Sequence, residues 1–261
     1  MLLCIDIGNT NTVFATFDGD KIVRDWRIKT DARSTADELG LTFRGLLAED
    51  AAAITGIAAC STVPEALRSL REMLDRYYPT VRRLIVEPGV RTGVQLAIDN
   101  PKEVGTDRVV NTLAAYTLYG GPSIVVDFGT TTNFDVISAR GEFLGGAFAP
   151  GIEISFDALA TRAAQLRKVA AARPRSVIGK NTVECLQSGL YFGFAGQVDR
   201  IVERMIQELG EVRAVIATGG LAPIVLDECR TITHHEPMIT LIGLRMIYEK
   251  NDAPPHGRAP S

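Results

Sequence analysis

The 261-residue sequence lacks any excess of positive charge: 28 Lys and Arg stand against 31 Asp and Glu, for a formal charge of −3. Without a basic field, nothing holds a polyanion non-specifically, so neither nucleic acid nor an anionic membrane is expected as a partner. Cysteine is scarce. Cys4, Cys60, Cys185 and Cys229 lie far apart with no C-x-x-C spacing, which argues against a zinc site and a disulfide framework and points to the reducing cytoplasm. No run of about 18 apolar residues exists to span a membrane. The opening apolar stretch has no basic residues before it and is broken at Asp6, so it does not read as a signal peptide. There is no N-x-[ST] acceptor, no H-E-x-x-H and no G-x-S-x-G. The only histidines, His234, His235 and His256, are expected in surface loop or tail positions.

Hydrophobic residues, by contrast, make up 46% of the chain and charged ones 23%, enough for a sizeable core in one large domain or two small ones. Leu2 to Ile7, Thr12 to Phe17 and Lys21 to Ile28 read as a β-meander, followed by a helix with Leu39, Phe43, Leu46 and Leu47 on one face. Ser34 and Thr35 with Asp37 and Glu38 resemble a capping box. Strand Ile54 to Cys60, a helix started by Thr62 and Glu65, and strand Leu84 to Val86 come next. A helix over Thr106 to Leu118 should turn Val109, Val110, Leu113 and Tyr116 inward. The meander then recurs as Ile124 to Asp127, Asn133 to Ser138 and Glu142 to Ala149. A long helix from Asn181 to Leu209, strand Ala214 to Ala217 and helix Thr240 to Glu249 complete an α/β alternation. The Pro-rich stretch from Asn251 to Ser261 reads as a disordered tail.

An internal echo carries the most information. Asp6-Ile7-Gly8-Asn9-Thr10-Asn11-Thr12 ends one apolar strand, and Asp127-Phe128-Gly129-Thr130-Thr131-Thr132-Asn133 ends another, with Asp, Gly and Thr in register. Such hairpins let backbone N–H groups approach phosphate oxygens, and an aspartate at the strand end is placed to hold a cation. A single copy reads as well as a capped glycine turn. Two copies that each open a duplicated half predict phosphoryl transfer or nucleotide hydrolysis. Gly179-Lys180-Asn181-Thr182 fails as a Walker A loop because Pro174 stands where its first glycine belongs.

On these residues the chain resembles the superfamily of acetate and sugar kinases, Hsp70 and actin, and more closely the type III pantothenate kinases. The resemblance rests on Asp6 to Val13, the stretch Asp99 to Arg108, the Asp127 hairpin, Gly145-Gly146-Ala147 with Ala149-Pro150-Gly151, Gly179 to Thr182, and Thr218-Gly219-Gly220-Leu221-Ala222. It implies two ribonuclease-H-like lobes, 1–118 and 119–250, with mixed sheets flanked by helices and a nucleotide cleft between them. The implied reaction moves the γ-phosphoryl group of ATP, with Mg²⁺, to the primary alcohol of pantothenate, toward coenzyme A. Asp107 is then the general base. Gly105, Thr106, Asp107 and Arg108 contact pantothenate, joined by Thr182 across a homodimer interface. Asp6, Ile7, Gly8, Asn9, Thr10, Asn11, Thr12, Val13 and Thr130 contact the nucleotide, Asp127 holds K⁺ or NH₄⁺, and Gly219 and Gly220 pass under the adenosine.

The residues themselves leave some of these roles open. Asp107 falls in the first turn of a helix, where the macrodipole favours a carboxylate, so it reads equally as a helix-start charge or as an ionised proton acceptor. Arg108 offers a planar fork for a carboxylate or phosphate, or a solvated helix charge. Asn181 and Glu184 form a plausible N-cap pair, and Gly189, Gly193 and Gly196 look like close-packing positions in the helix behind them. Ile98 stands where many family members carry a tyrosine. Two other readings share the hairpins: a superfamily phosphohydrolase, which gives the Asp107-Arg108 pair no task, and a non-catalytic nucleotide-binding regulator, which expects damage at Asp6, Asp107 or Asp127 where none is found.

Overall fold

The computed structural model describes residues 1–162 and 169–252. An apolar run broken only at Asp6 forms β1 (Leu2–Ile7), a polar turn reverses the chain into β2 (Asn11–Asp18), and Gly19, at a φ of 60°, closes the tight turn into β3 (Lys21–Lys29). α1 (Ala36–Leu47) starts with the expected capping box. The Thr35 hydroxyl accepts the Glu38 N–H while the Glu38 carboxylate accepts the Thr35 N–H. β4 (Gly56–Ser61), α2 (Pro64–Tyr77) and β5 (Arg82–Ile85) follow. Thr62 does not start α2 as expected. Val63 is the N-cap without a side-chain bond, and Pro64, which has no N–H left to satisfy, opens the helix.

After α3 (Thr106–Tyr119) the pattern repeats as β6 (Ser123–Phe128), β7 (Thr131–Ile137) and β8 (Phe143–Pro150). Then come α4 (Ile152–Arg162), α5 (Thr182–Leu209), β9 (Ala214–Thr218), the short β10 (His234–His235) and α6 (Ile239–Asp252). Two five-stranded sheets result, ordered β3-β2-β1-β4-β5 and β8-β7-β6-β9-β10. In both, the meander strands are antiparallel, the fourth strand joins the middle one in parallel and the fifth joins the fourth in parallel. The expected duplicated α/β architecture is therefore present.

Four local expectations differ from the fold. α4 was not anticipated, although Ile152 and Phe156, one turn apart, are its buried positions. On α3 the enclosed residues are Val110, Asn111, Thr112, Ala114 and Ala115, while Tyr116 is exposed and lies over Gly141. A helix covered on several sides needs small residues for close approach, and the large ring is turned out. His234 and His235 are exposed as expected, but they pair as an edge strand with Ile216 and Ala217. Asn251 and Asp252, expected in a tail, close α6; the rest of that stretch, residues 253–261 with His256, lies outside the described residues.

The chain divides into two compact units that interleave in sequence. One holds Met1–Gly93, Lys102–Ala114 and the segment from Thr240, and the other holds Val94–Pro101 and Ala115–Ile239. In the first, Leu3, Ile5 and Ile7 share one face of β1 and meet Phe43 of α1 and Leu70, Met73 and Leu74 of α2. Phe14 stacks on Trp26 and Phe43, with ring centroids 5.2 and 4.5 Å away. α6 docks in the same unit. Gly243 lets its backbone close on Val110, and the Thr240 hydroxyl donates to Asn111 Oδ1 at 2.8 Å. The second unit buries Ile124, Val126 and Phe128 of β6 with Phe134 of β7 and Phe194, Val198 and Val202 of α5.

Because Phe14 is fully buried and ring-packed on two sides, Phe14→Ala should lower the unfolding free energy by roughly 3–5 kcal/mol in urea denaturation, and Phe14→Leu by clearly less.

Candidate functional site

In the first unit the site is built from the ends of β1 and β4 and the start of α3. Alternation along β1 sends Leu3, Ile5 and Ile7 to the core, so Asp6 emerges on the opposite face beside its parallel partner Cys60. The Cys60 thiol donates to Asp6 Oδ1 at 3.4 Å. The segment after β4 is tied to the hairpin: Thr62 N–H and the Ser61 hydroxyl both donate to the Ile7 carbonyl, at 3.2 and 3.1 Å. Thr106 Oγ1 donates to the Ser61 carbonyl at 3.4 Å, which brings the first turn of α3 to the same place. Gly105 lies against Asp107, whose Oδ1 would stand 2.5 Å from a Cβ at that position. The structure therefore brings Asp6, Gly105, Thr106 and Asp107 to one end of the first sheet. Cys60 was missed, because its spacing from other cysteines carries no signal and only strand pairing reveals its neighbour.

The electrostatics departs from expectation. Burial pushes the Asp6 carboxyl up to about 7, with the Asp107 charge adding to the rise and the Cys60 thiol and Arg27 partly opposing it. Asp107 is also raised by burial, against the pull of the Arg108 N–H and guanidinium and of its own N–H. The helix start thus favours the Asp107 anion as predicted, but loss of solvent outweighs it. Asp107 Oδ1 is buried and accepts no hydrogen bond among the described residues. An unsatisfied carboxylate oxygen is costly unless a ligand supplies the missing donor.

In the second unit, Asp127 closes β6 opposite Asn133 and beside Thr218 of β9. The turn after β9 presses on the hairpin. At Gly219, where φ is 89°, a Cβ would stand 2.5 Å from both Asp127 Oδ1 and the Phe128 carbonyl. Gly151, just past β8, has the Thr130 and Gly129 carbonyls against it in the same way. These glycines explain why the Thr218-Gly219-Gly220 and Ala149-Pro150-Gly151 segments accompany the Asp127 hairpin: no side chain fits there. Ile98 touches Gly145 of β8, with a methyl group 3.6 Å from where a Cβ would be.

The two hairpins are related, with a shift. Ile7 pairs with Thr12, whereas Phe128 pairs with Thr132, so the second loop is one residue shorter. The expected alignment of Thr10 with Thr131 is corrected by strand pairing to Thr12 with Thr132, and Phe14 then matches Phe134. Gly179-Lys180-Asn181-Thr182 forms a helix start. Asn181 Oδ1 accepts the Glu184 N–H at 2.9 Å, while the Glu184 carboxylate takes the Lys180 N–H, and Thr182 stands exposed at the first position of α5. The helix glycines Gly189, Gly193 and Gly196 have nothing packed against them among the described residues.

Among the described residues no three His, Cys, Asp or Glu side chains converge into a cage for a bare ion. The donors fit a magnesium ion that arrives on phosphate oxygens and keeps several waters, for which one or two carboxylates suffice. Asp6, poorly compensated where it stands, is such a carboxylate. In the second unit Asp127 offers a further hard carboxylate at the end of the paired strands.

Comparison with known proteins identifies the family and the fold. The sequence model for type III pantothenate kinase matches residues 2–204. The type III pantothenate kinase of Salinispora arenicola is 86% identical over 96% of this chain and all of the relative. That of Acidothermus cellulolyticus is 65% identical over 96% of this chain and 99% of the relative. Among solved structures, a conserved putative Baf family transcriptional activator from Campylobacter jejuni superposes with a TM-score of 0.58 at 19% identity, covering 96% of this chain and 98% of that one. The activator of 2-hydroxyisocaproyl-CoA dehydratase from Clostridium difficile, with bound ADPNP, reaches 0.55 at 12% identity, covering 99% of each chain. At such identities the likeness is one of fold.

The Asp6 shift fixes a pH signature for the ligand-free protein. A carboxyl raised from its usual 3.8 to about 7 favours the folded state fully below pH 4, and that contribution is lost as pH rises toward and through 7. Asp6→Asn, which stays neutral, should match the parent below pH 4, gain on it between pH 4 and 7, and hold a constant lead above. Urea midpoints taken across pH check this, and a lead that shrinks with rising pH would contradict it.

Proposed function

The chain belongs to the type III pantothenate kinase family, and on that premise we propose that it moves the γ-phosphoryl group of ATP to the primary alcohol of pantothenate. The product is 4′-phosphopantothenate, made in the first step of coenzyme A biosynthesis. The observation that carries this reading is the Asp107 carboxylate, held at a helix start with one oxygen buried and unbonded. An alcohol O–H is the donor that oxygen lacks.

Asp107 accepts the hydroxyl proton as the new O–P bond forms. Phosphoryl transfer is largely dissociative, so the carboxylate works mainly by aligning the alcohol in line with the γ-phosphorus, and a strong base is not needed. Its raised pKa helps rather than hinders, because a carboxylate released from water accepts a proton more readily. Gly105 and Thr106 line the same turn, and Arg108 supplies a planar fork for the pantothenate carboxylate. Backbone and side-chain donors of Asp6, Ile7, Gly8, Asn9, Thr10, Asn11, Thr12 and Val13, together with Thr130, take the phosphate oxygens. Asp6 would be among the oxygen donors to a magnesium ion bound with ATP, which would neutralise charge on the phosphates. Asp127 holds K⁺ or NH₄⁺ beside them.

We further place Thr182 against pantothenate from a second copy of the chain. In support, Gly189, Gly193 and Gly196 leave a bare stripe on α5, and the same unit exposes Phe148, Val177, Ile178 and Val183. A homodimer gives these groups something to cover. All four cysteines are free thiols, in keeping with a cytoplasmic enzyme, and no helix of the described residues is long and apolar enough to cross a membrane.

Coupled ADP release with Mg²⁺, K⁺ and ATP should require pantothenate. Asp107→Asn should cut that turnover by about 10²–10⁴-fold with little change in ATP binding. Release that ignores pantothenate would indicate a hydrolase, and unchanged turnover in the variant would remove the base. Asp127→Ala should weaken ATP binding and abolish activation by potassium, and a potassium titration that keeps its shape would reject that cation site.

A further inference from the structure

The two hairpins are copies of one fold, yet the threonine they share is held differently in each. Thr12 and Thr132 occupy the same place by strand pairing, and both are buried. Thr132 Oγ1 has no hydrogen-bond partner among the described residues. Thr12 Oγ1, by contrast, shares a 2.9 Å hydrogen bond with Thr30 Oγ1, and the Thr30 N–H donates to the Thr10 carbonyl at 2.9 Å. Thr30 sits one residue past β3, whose last residue pairs with Asn11, so it is itself firmly anchored. The brace falls where packing is thin. A cavity of about 250 Å³ bounded by Ile7, Thr12, Thr30, Ser34, Thr42 and Phe43 lies on that flank of the hairpin. The braced loop is also the longer of the two, spanning 8–11 against 129–131 between its closing pairs, and so has more freedom to lose.

We infer that Thr30 is a positioning residue for the nucleotide. It touches no phosphate, but by holding the Thr10 carbonyl and the Thr12 hydroxyl it fixes the direction in which the N–H groups of residues 8–11 point. Removing its hydroxyl strands a buried Thr12 Oγ1 and frees the loop to sample orientations that miss the phosphate oxygens. This rests on the reading that the first hairpin binds ATP phosphates, so the test separates the two.

Full-length protein carrying Thr30→Val, Thr30→Ser or Gly8→Ala is compared for Mg·ATP affinity by calorimetry, for KM of each substrate, for kcat and for Tm. Thr30→Val keeps the shape and deletes the hydroxyl. It should raise Kd and KM for ATP about tenfold, leaving pantothenate KM and saturated kcat within about twofold, and Thr30→Ser should restore the parent values. Unchanged ATP affinity in Thr30→Val, or a parallel rise of both KM values that Thr30→Ser does not reverse, would overturn the inference. Gly8→Ala puts a methyl group 3.2 Å from the Asn11 carbonyl inside the loop itself. Weaker ATP binding in Gly8→Ala with none in Thr30→Val defeats the brace alone, whereas ATP affinity untouched by Gly8→Ala defeats the hairpin's assignment and the brace with it.

Discussion

A β-strand has two faces, and the placement of Asp6 in the first unit and of Asp127 in the second depends on β1 and β6 each using one of them for the core. Leu3, Ile5 and Ile7, like Ile124, Val126 and Phe128, are held inward by the helices packed on them. That leaves Asp6 and Asp127 no choice of direction. A slip of one residue in either strand would put the carboxylate into the apolar layer and a large aliphatic side chain where the ligand belongs. The apolar layers therefore aim the catalytic end as well as stabilise the fold. The first carboxylate is then set against Asp107 and away from water, and burial raises the pKa of both.

Most of the fold was legible because it rests on short-range rules. Alternation marked the meanders, Thr35 and Glu38 marked a helix start, and the repeated D-x-G-x-T marked the duplication. Failures came where tertiary contact overrides local pattern. Tyr116 fits the inward stripe of α3 by spacing, yet several neighbours crowd that helix and only small residues fit. α4 is short and only weakly amphipathic, and Ile152 and Phe156 alone did not announce it. The candidate site was legible in its carboxylates and glycines but not in its support. Cys60 and the pressure of Gly219 on Asp127 depend on which strands lie side by side, and spacing along a chain does not carry that.

Duplication also conceals divergence. The two hairpins look aligned from Asp to Thr, but strand pairing shifts the second by one residue after its glycine. Their surroundings have parted accordingly. The first is flanked by a cavity and by the segment that follows β3, while the second has two glycine turns, at Gly151 and Gly219, drawn against its carbonyl oxygens. The same backbone plan thus carries two loops of different length, each held by a different set of neighbours.

The placement of α6 bears on how the protein is made. The helix that closes against Val110 and Asn111 is encoded at the far end of the chain, although the strands it completes are encoded first. A ribosome therefore releases every residue of the second unit before it releases the last element of the first. The unit that begins the chain must wait, unfinished, while the later one already has what it needs to fold. Premature termination ahead of Ile239 would spare the second sheet and leave the opening one open.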